Sequence, residues 1–258
     1  MAGESAGPAI LSQNQMTNAM RSAKNKGPQA SSQDKKRGFK KGYTHIAVLL
    51  DRSGSMESIR NDIVGGFNTF LEEQQRGEGE ATLTLVQFDS QDPYEVLQDT
   101  QPLGLVPRLT RETFVPRGGT PLLDAMGRLV NDVEAKVARL KEGSRPEHVV
   151  LAVITDGQEN QSREFTRAKV AEMLKAKEDQ GWKVVFLSAD LDAINDAMDQ
   201  GVSFARSMAF DKTARGTADA LGAFSAKLMA MRSSEASDIL FDAVDRAKQD
   251  IEKRRKPS

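Results

Sequence analysis

The run IAVLL, residues 46–50, is apolar at every position. A strand with one wet face would alternate, so this run predicts a strand covered on both sides. ATLTLVQF (81–88) does alternate and predicts a strand with unequal faces. YEVLQDTQPL (94–103) predicts a short edge strand, kept brief by Pro93 and Pro102. EHVVLAVITDG (147–157) and WKVVFLS (182–188) read as further central strands, and 203–210 as a last short one. Between them the apolar period lengthens. Ile59, Ile63, Phe67, Phe70 and Leu71 share one helical face over 57–75, and Leu122, Ala125, Met126, Leu129, Val133 and Val137 share one over 121–140. Helices are also predicted over 164–180, 191–200, 217–231 and 235–254. The last places Ala236, Leu240, Ala243, Ala247 and Ile251 on one face and ends in KRRK, cations suited to a helix carboxyl end. Gly65-Gly66, inside the first helix, predicts close packing against a neighbour.

Strands alternating with helices predict an α/β fold. The expected form is a doubly wound, mostly parallel sheet with one short antiparallel edge strand and extra C-terminal helices. In such sheets ligands bind outside the carboxyl ends of the strands. Residues 1–42 are rich in Ser, Gln, Asn, Ala, Gly and Lys and nearly free of large apolar side chains, which predicts a disordered tail. The organisation expected is therefore a tail over 1–42, the sheet domain over 43–210 and a helical extension over 211–258.

Charge divides the chain in the same way. Eight Lys/Arg stand against Glu4 and Asp34 in the tail, whereas the net formal charge of the whole is −1, so the body is mildly acidic. Nucleic acid is expected to bind at most weakly, through the KKRGFKK cluster of the tail, which otherwise reads as a solvated linker. There is no cysteine among the 258 residues, which excludes disulfides, thiolate nucleophiles and Cys-ligated zinc. The amino-terminal residues lack the pattern of a secretory signal and no apolar run is long enough for a membrane span, so the expectation is a cytoplasmic protein without membrane contact.

Three segments carry oxygen donors where strands end or helices begin. DRSGSM (51–56) follows the first strand, RGGTPL (117–122) opens a helix, and ITDGQEN (154–160) follows a central strand. They supply Asp51, Ser53, Ser55, Thr120 and Asp156. All five donors are oxygens, the profile of a hard cation, with Mg²⁺ first and Mn²⁺ or Ca²⁺ next. Asp51, Ser53 and Ser55 stand two apart in a turn, and Gly54 lets the backbone bend between the serines. Each piece also has a plain reading: Ser55 and Thr120 as helix caps, Asp156-Gly157 as a turn.

The ordered set D-x-S-x-S, then T in GGT-P, then D in TDG, resembles the metal-ion-dependent adhesion site (MIDAS) of the von Willebrand factor A domain, over roughly residues 43–210. The resemblance implies a Rossmann-like sheet of a stand-alone prokaryotic or phage type. It further implies that Ser53, Ser55 and Thr120 touch a metal directly while Asp51 and Asp156 act through water. Its open coordination position would take a Glu or Asp from a partner protein, in similar proteins often an AAA+ ATPase or a kinase. The function expected is metal-dependent protein binding without catalysis.

The alternative is a Mg²⁺-dependent phosphotransferase or hydrolase using the same donors, although haloacid-dehalogenase-like enzymes carry D-x-D where this chain has D-x-S-x-S. A serine hydrolase would need a histidine base. His45 and His148 both lie at the amino ends of their strands, on the order of 20 Å from the carboxyl ends. No G-x-G-x-x-G follows the first strand, against dinucleotide binding. Arg52 and Arg117 flank the cluster, either solvated or steering an acidic ligand, and the DLDA segment at 190–193 is placed to rim it.

Overall fold

The computed structural model describes residues 38–199 and 201–249. Most of the basic tail and the KRRK segment lie outside the described residues. The strands are β1 (Lys40–Asp51), β2 (Glu80–Phe88), β3 (Glu95–Pro102), β4 (Pro146–Thr155), β5 (Lys183–Ser188) and β6 (Ser207–Ala209). They form one sheet in the order β3-β2-β1-β4-β5-β6. Only β3, at the edge, runs antiparallel to its neighbour. The helices are α1 (Arg60–Arg76), α2 (Leu122–Arg139), α3 (Arg167–Asp179), α4 (Leu191–Asp199), α5 (Ala214–Arg232) and α6 (Ala243–Ala247). This is the doubly wound α/β class that the sequence pattern predicts, with the Rossmann-like sheet that the resemblance implies. β1 begins at Lys40, inside the segment read from sequence as tail.

The two faces of β1 explain its continuous apolar run. Ile46, Val48 and Leu50 join one core cluster with Ile63, Phe67 and Phe70 of α1 and Leu221, Phe224 and Leu228 of α5. Ala47 and Leu49 join a second with Met126, Leu129 and Val133 of α2, Val170 of α3 and Ile194 of α4. Period-2 alternation thus sends successive residues into different cores. Helix α5, set apart in the sequence reading as extension, shares the first core with the sheet. The Phe70 and Phe224 rings stack with centroids 5.1 Å apart. Gly66 lets α5 approach α1, since a Cβ there would meet Leu221 Cδ1 at 2.6 Å; at Gly65 the same atom would meet nothing.

Beyond the exposed Glu80, the polar positions of β2 are buried as well. Thr82 Oγ1 lies 2.9 Å from both Tyr43 Oη and His45 Nδ1, so these groups satisfy one another under α2. Burial pushes the His45 imidazole down to about 4, helped by the nearby Lys136 ammonium and opposed by Asp99 and Asp132.

The predicted helix over 235–254 is corrected. Among the described residues only Ala243–Ala247 is helical there. Ser234 takes a positive φ of 64°, which ends the α5 run. Asp238 is then held by Arg206 through two bonds of 2.9 Å, and Ile239 and Phe241 are buried while Leu240 is exposed, the alternation of an extended segment. Asp242 restarts the helix with a capping box closed by Asp245. Helical spacing in the sequence was outweighed by this period-2 burial.

Candidate metal centre

β1 pairs with β2 on one side and β4 on the other, so the direction of winding reverses between β1 and β4. The carboxyl ends of those two strands open at this switch point, where a crevice is expected. Asp51 ends β1, and Thr155 ends β4 just ahead of Asp156.

Asp51 is fully buried and both its oxygens are engaged. Ser53 N–H donates to Oδ1 at 2.7 Å and Thr155 Oγ1 donates to Oδ2 at 2.6 Å. Ser55 Oγ donates to Asp156 Oδ1 at 2.6 Å, and the Ser53 and Ser55 hydroxyl oxygens are 3.1 Å apart. Burial pushes Asp51 up to about 6. The bonds from Thr155 and Ser53 pull the other way, and the Asp156 charge adds to the rise.

The second loop is built against the first. Gly54 N–H donates to Gly118 O at 3.0 Å and Arg117 N–H to Arg52 O at 2.8 Å. Gly118 has φ 65°, and a Cβ on it would meet Ser90 Oγ at 2.5 Å, so this close approach requires glycine. Thr120 is buried, with its backbone bonded in both directions to Asn160: Thr120 N–H to Asn160 Oδ1 at 2.9 Å and Asn160 N–H to Thr120 O at 3.1 Å. The three predicted segments therefore meet at one place.

The plain readings of the hydroxyls do not hold. Ser53 precedes the 3-10 turn Gly54–Ile59 without a side-chain cap bond, and Ser55 turns its proton to Asp156. α2 starts after Pro121 with no capping side chain of its own. Glu159 Oε2 and Ser162 Oγ accept from Leu123 N–H and Asp124 N–H instead, at 2.9 and 3.1 Å. Caps supplied from another loop relieve Thr120 of that duty.

The arginines are corrected too. Arg52 is buried and bonds Asp89 Oδ2 through Nε at 2.8 Å and Gln87 Oε1 at 3.1 Å, and it also pairs with Glu95. Arg117 Nε reaches the same Asp89 oxygen at 3.0 Å. The buried Arg52 does not fit the reading of a solvated or ligand-steering cation, whereas Arg117 keeps 40% of its side chain exposed; both clamp the loops to Asp89. Asp190 of the DLDA segment accepts from Asp192 N–H at 2.7 Å and from Gln158 Nε2 at 3.2 Å, which ties it to the third loop. Asp89, Thr155, Asn160 and Lys212, whose Nζ lies 2.9 Å from Asp156 Oδ2, were not singled out from sequence. Thr155, next to Asp156, had the one local signal.

Among the described residues no three His, Cys, Asp or Glu side chains converge. Two carboxylates with interleaved hydroxyls are a donor set for a hard cation rather than for zinc. The set fits such an ion. A hydroxyl that gives its proton to a carboxylate keeps lone pairs for a cation, and the 3.1 Å between Ser53 and Ser55 oxygens matches two neighbouring ligands of an octahedron with bonds of about 2.1 Å.

No family model matches the chain, and neither does any curated protein. Solved structures do. The pilus adhesin SpaC from Lactobacillus rhamnosus GG, in its open conformation, aligns with a TM-score of 0.53 at 15% identity, over 72% of this chain and 30% of that one. The type V pili tip protein Mfa5 from Porphyromonas gingivalis aligns with a TM-score of 0.50 at 11% identity, over 66% and 47%. A von Willebrand factor type A protein from Catenulispora acidiphila aligns at 0.49 and 13%, over 72% and 43%. The aligned region spans less than half the length of each. At these identities the likeness to the two pilus proteins shows the fold alone.

Proposed function

We propose that this chain is a metal-dependent binding module that takes a carboxylate of a partner protein through a divalent cation at Ser53, Ser55 and Thr120, with Asp51 and Asp156 behind them. The observation that carries the reading is the network Thr155–Asp51 and Ser53–Ser55–Asp156 at the sheet's switch point. Its carboxylates lock the hydroxyls, and neutral hydroxyls leave most of a cation's charge unquenched. A bound Mg²⁺, or Mn²⁺ or Ca²⁺, would supply an electrophilic position for an anionic oxygen. The Asp or Glu side chain of an ATPase or kinase partner, the class the resemblance implies, would meet that requirement.

The phosphotransferase alternative needs Asp51 as an outward nucleophile. Burial and two accepted hydrogen bonds oppose that role. The test is titration of Mn²⁺ and Mg²⁺ into wild type and Asp51→Ala, followed by partner capture in Mg²⁺ and in EDTA. The expected result is binding of metal and of partner by wild type alone, each lost with Asp51→Ala and the partner lost in EDTA. A Mg²⁺-dependent phosphatase or ATPase activity abolished by Asp51→Ala would overturn the reading.

A further inference from the structure

The metal reading leaves one cation at the site without a role. Lys212 Nζ lies 2.9 Å from Asp156 Oδ2, the oxygen that Ser55 does not use. The lysine side chain is 40% exposed, but it is not a stray surface chain reaching inward. Its loop is fixed on both sides. Phe210 is buried and its N–H donates to Ser188 O at 2.9 Å, at the end of β5. Asp211 N–H donates to Gln249 Oε1 at 3.1 Å, while Gln249 Nε2 donates to Gly216 O at 3.2 Å. Thr213 caps α5 by accepting from Gly216 N–H at 3.0 Å, and a Cβ on Gly216 would meet Asp211 O at 2.5 Å. The turn that presents Lys212 is thus held by β5, by the first turn of α5 and by the segment after α6. Arg52 and Arg117, by contrast, are both committed to Asp89.

We propose that Lys212 is a built-in counter-cation of the metal centre, which lowers its affinity for a divalent ion and leaves the loaded site with a net positive charge. The inference rests on the metal-binding reading above. Two carboxylates alone would give the site −2 and a loaded charge of zero. With the ammonium the empty site carries −1 and the loaded one +1, so an anionic ligand is favoured and a neutral one gains nothing. The affinity cost follows from Coulomb's law. A +1 charge about 6 Å from a +2 ion repels it by about 1.4 kcal/mol even at the dielectric of water, which is about tenfold in affinity. Lys212 sits beside Asp156, is not itself a ligand, and acts by its charge on the ion.

The test is calorimetric titration of Mn²⁺ into the full chain as wild type, Lys212→Gln and Lys212→Arg, with melting in EDTA as a second readout. Lys212→Gln is expected to bind Mn²⁺ about tenfold more tightly, to melt lower in EDTA because the buried Asp156 loses its ammonium partner and keeps only the Ser55 hydroxyl, and to gain more in melting temperature on adding Mn²⁺. Lys212→Arg, keeping the charge, should behave as wild type. Equal or weaker affinity in a folded Lys212→Gln protein would overturn it while leaving the metal-binding reading in place. Absence of binding in all three would overturn both.

Discussion

Replacing Asp89 with alanine removes one carboxylate from the place where three loops are clamped, and the structure sets the size of the loss. Asp89 is fully buried. It accepts from Arg52, from Arg117, and through Oδ1 from Gln91 N–H at 2.6 Å and Asp92 N–H at 3.0 Å. Arg52 is nearly as buried, with 5% of its side chain exposed. Breaking such a pair from one side strands a buried charge and costs about 3–5 kcal/mol. Glu95 remains against the guanidinium, which puts Asp89→Ala near the lower figure, about 3 kcal/mol, or roughly 10 °C in melting temperature for a domain this size. Urea unfolding, read at an unchanged m-value, measures it. In an Arg52→Met background the same substitution should cost at least about 1 kcal/mol less, since the stranded cation is gone. A loss equal in both backgrounds, or an Asp89→Ala midpoint indistinguishable from wild type, would refute the reasoning. The pH dependence has a definite sign. Burial alone would raise the Asp89 pKa, but the bonds from Asp92, Arg117, Gln91 and Arg52 outweigh it and hold the carboxyl below its usual range. Its contribution is therefore present above the ordinary carboxylate pKa and fades in acid, so the deficit of Asp89→Ala should shrink as pH falls.

Ser55 is exposed but donates to the buried Asp156, so Ser55→Ala should cost about 1–2 kcal/mol in unfolding free energy while weakening Mn²⁺ binding about tenfold or more; unchanged metal affinity would exclude its hydroxyl as a ligand. His45 has its pKa lowered to about 4, so its protonation favours the unfolded chain. Stability is complete above the unfolded value near 6.5 and falls by about 3 kcal/mol as pH drops to 4. In urea midpoints taken across that range His45→Gln should flatten this limb, and an unchanged slope would contradict the burial argument. Gly65→Ala and Gly66→Ala should have opposite signs in thermal melts. The first meets open space and gains up to about 1 kcal/mol of helix propensity, whereas at the second that gain is outweighed by displacing the buried Leu221 side chain, for a net loss of up to about 2 kcal/mol. Shifts of the same sign would show that α5 does not pack on α1 in this way.

The sequence by itself determined the layered plan and the composition of the candidate site. IAVLL reads as doubly covered because any one-sided environment would have left alternating polar residues, and the structure places its alternate residues in two cores. The serines and aspartates of DRSGSM and ITDG are joined by hydrogen bonds because each sits within a turn of a strand end, where local pattern and position in the fold coincide. Tertiary structure decided what those residues touch. The guanidinium of Arg52 reads as solvated or as steering a ligand until Asp89, 37 residues away, is brought beneath it. Lys212 meets Asp156 across 56 residues, and Glu159 relieves Thr120 of capping a helix in a different segment. The segment after α5 has helical spacing, yet Arg206 and the buried positions of Ile239 and Phe241 hold it extended. Periodicity reports how an element is buried and carries no record of which element buries it. The partner of a charge is set by where the chain returns in space.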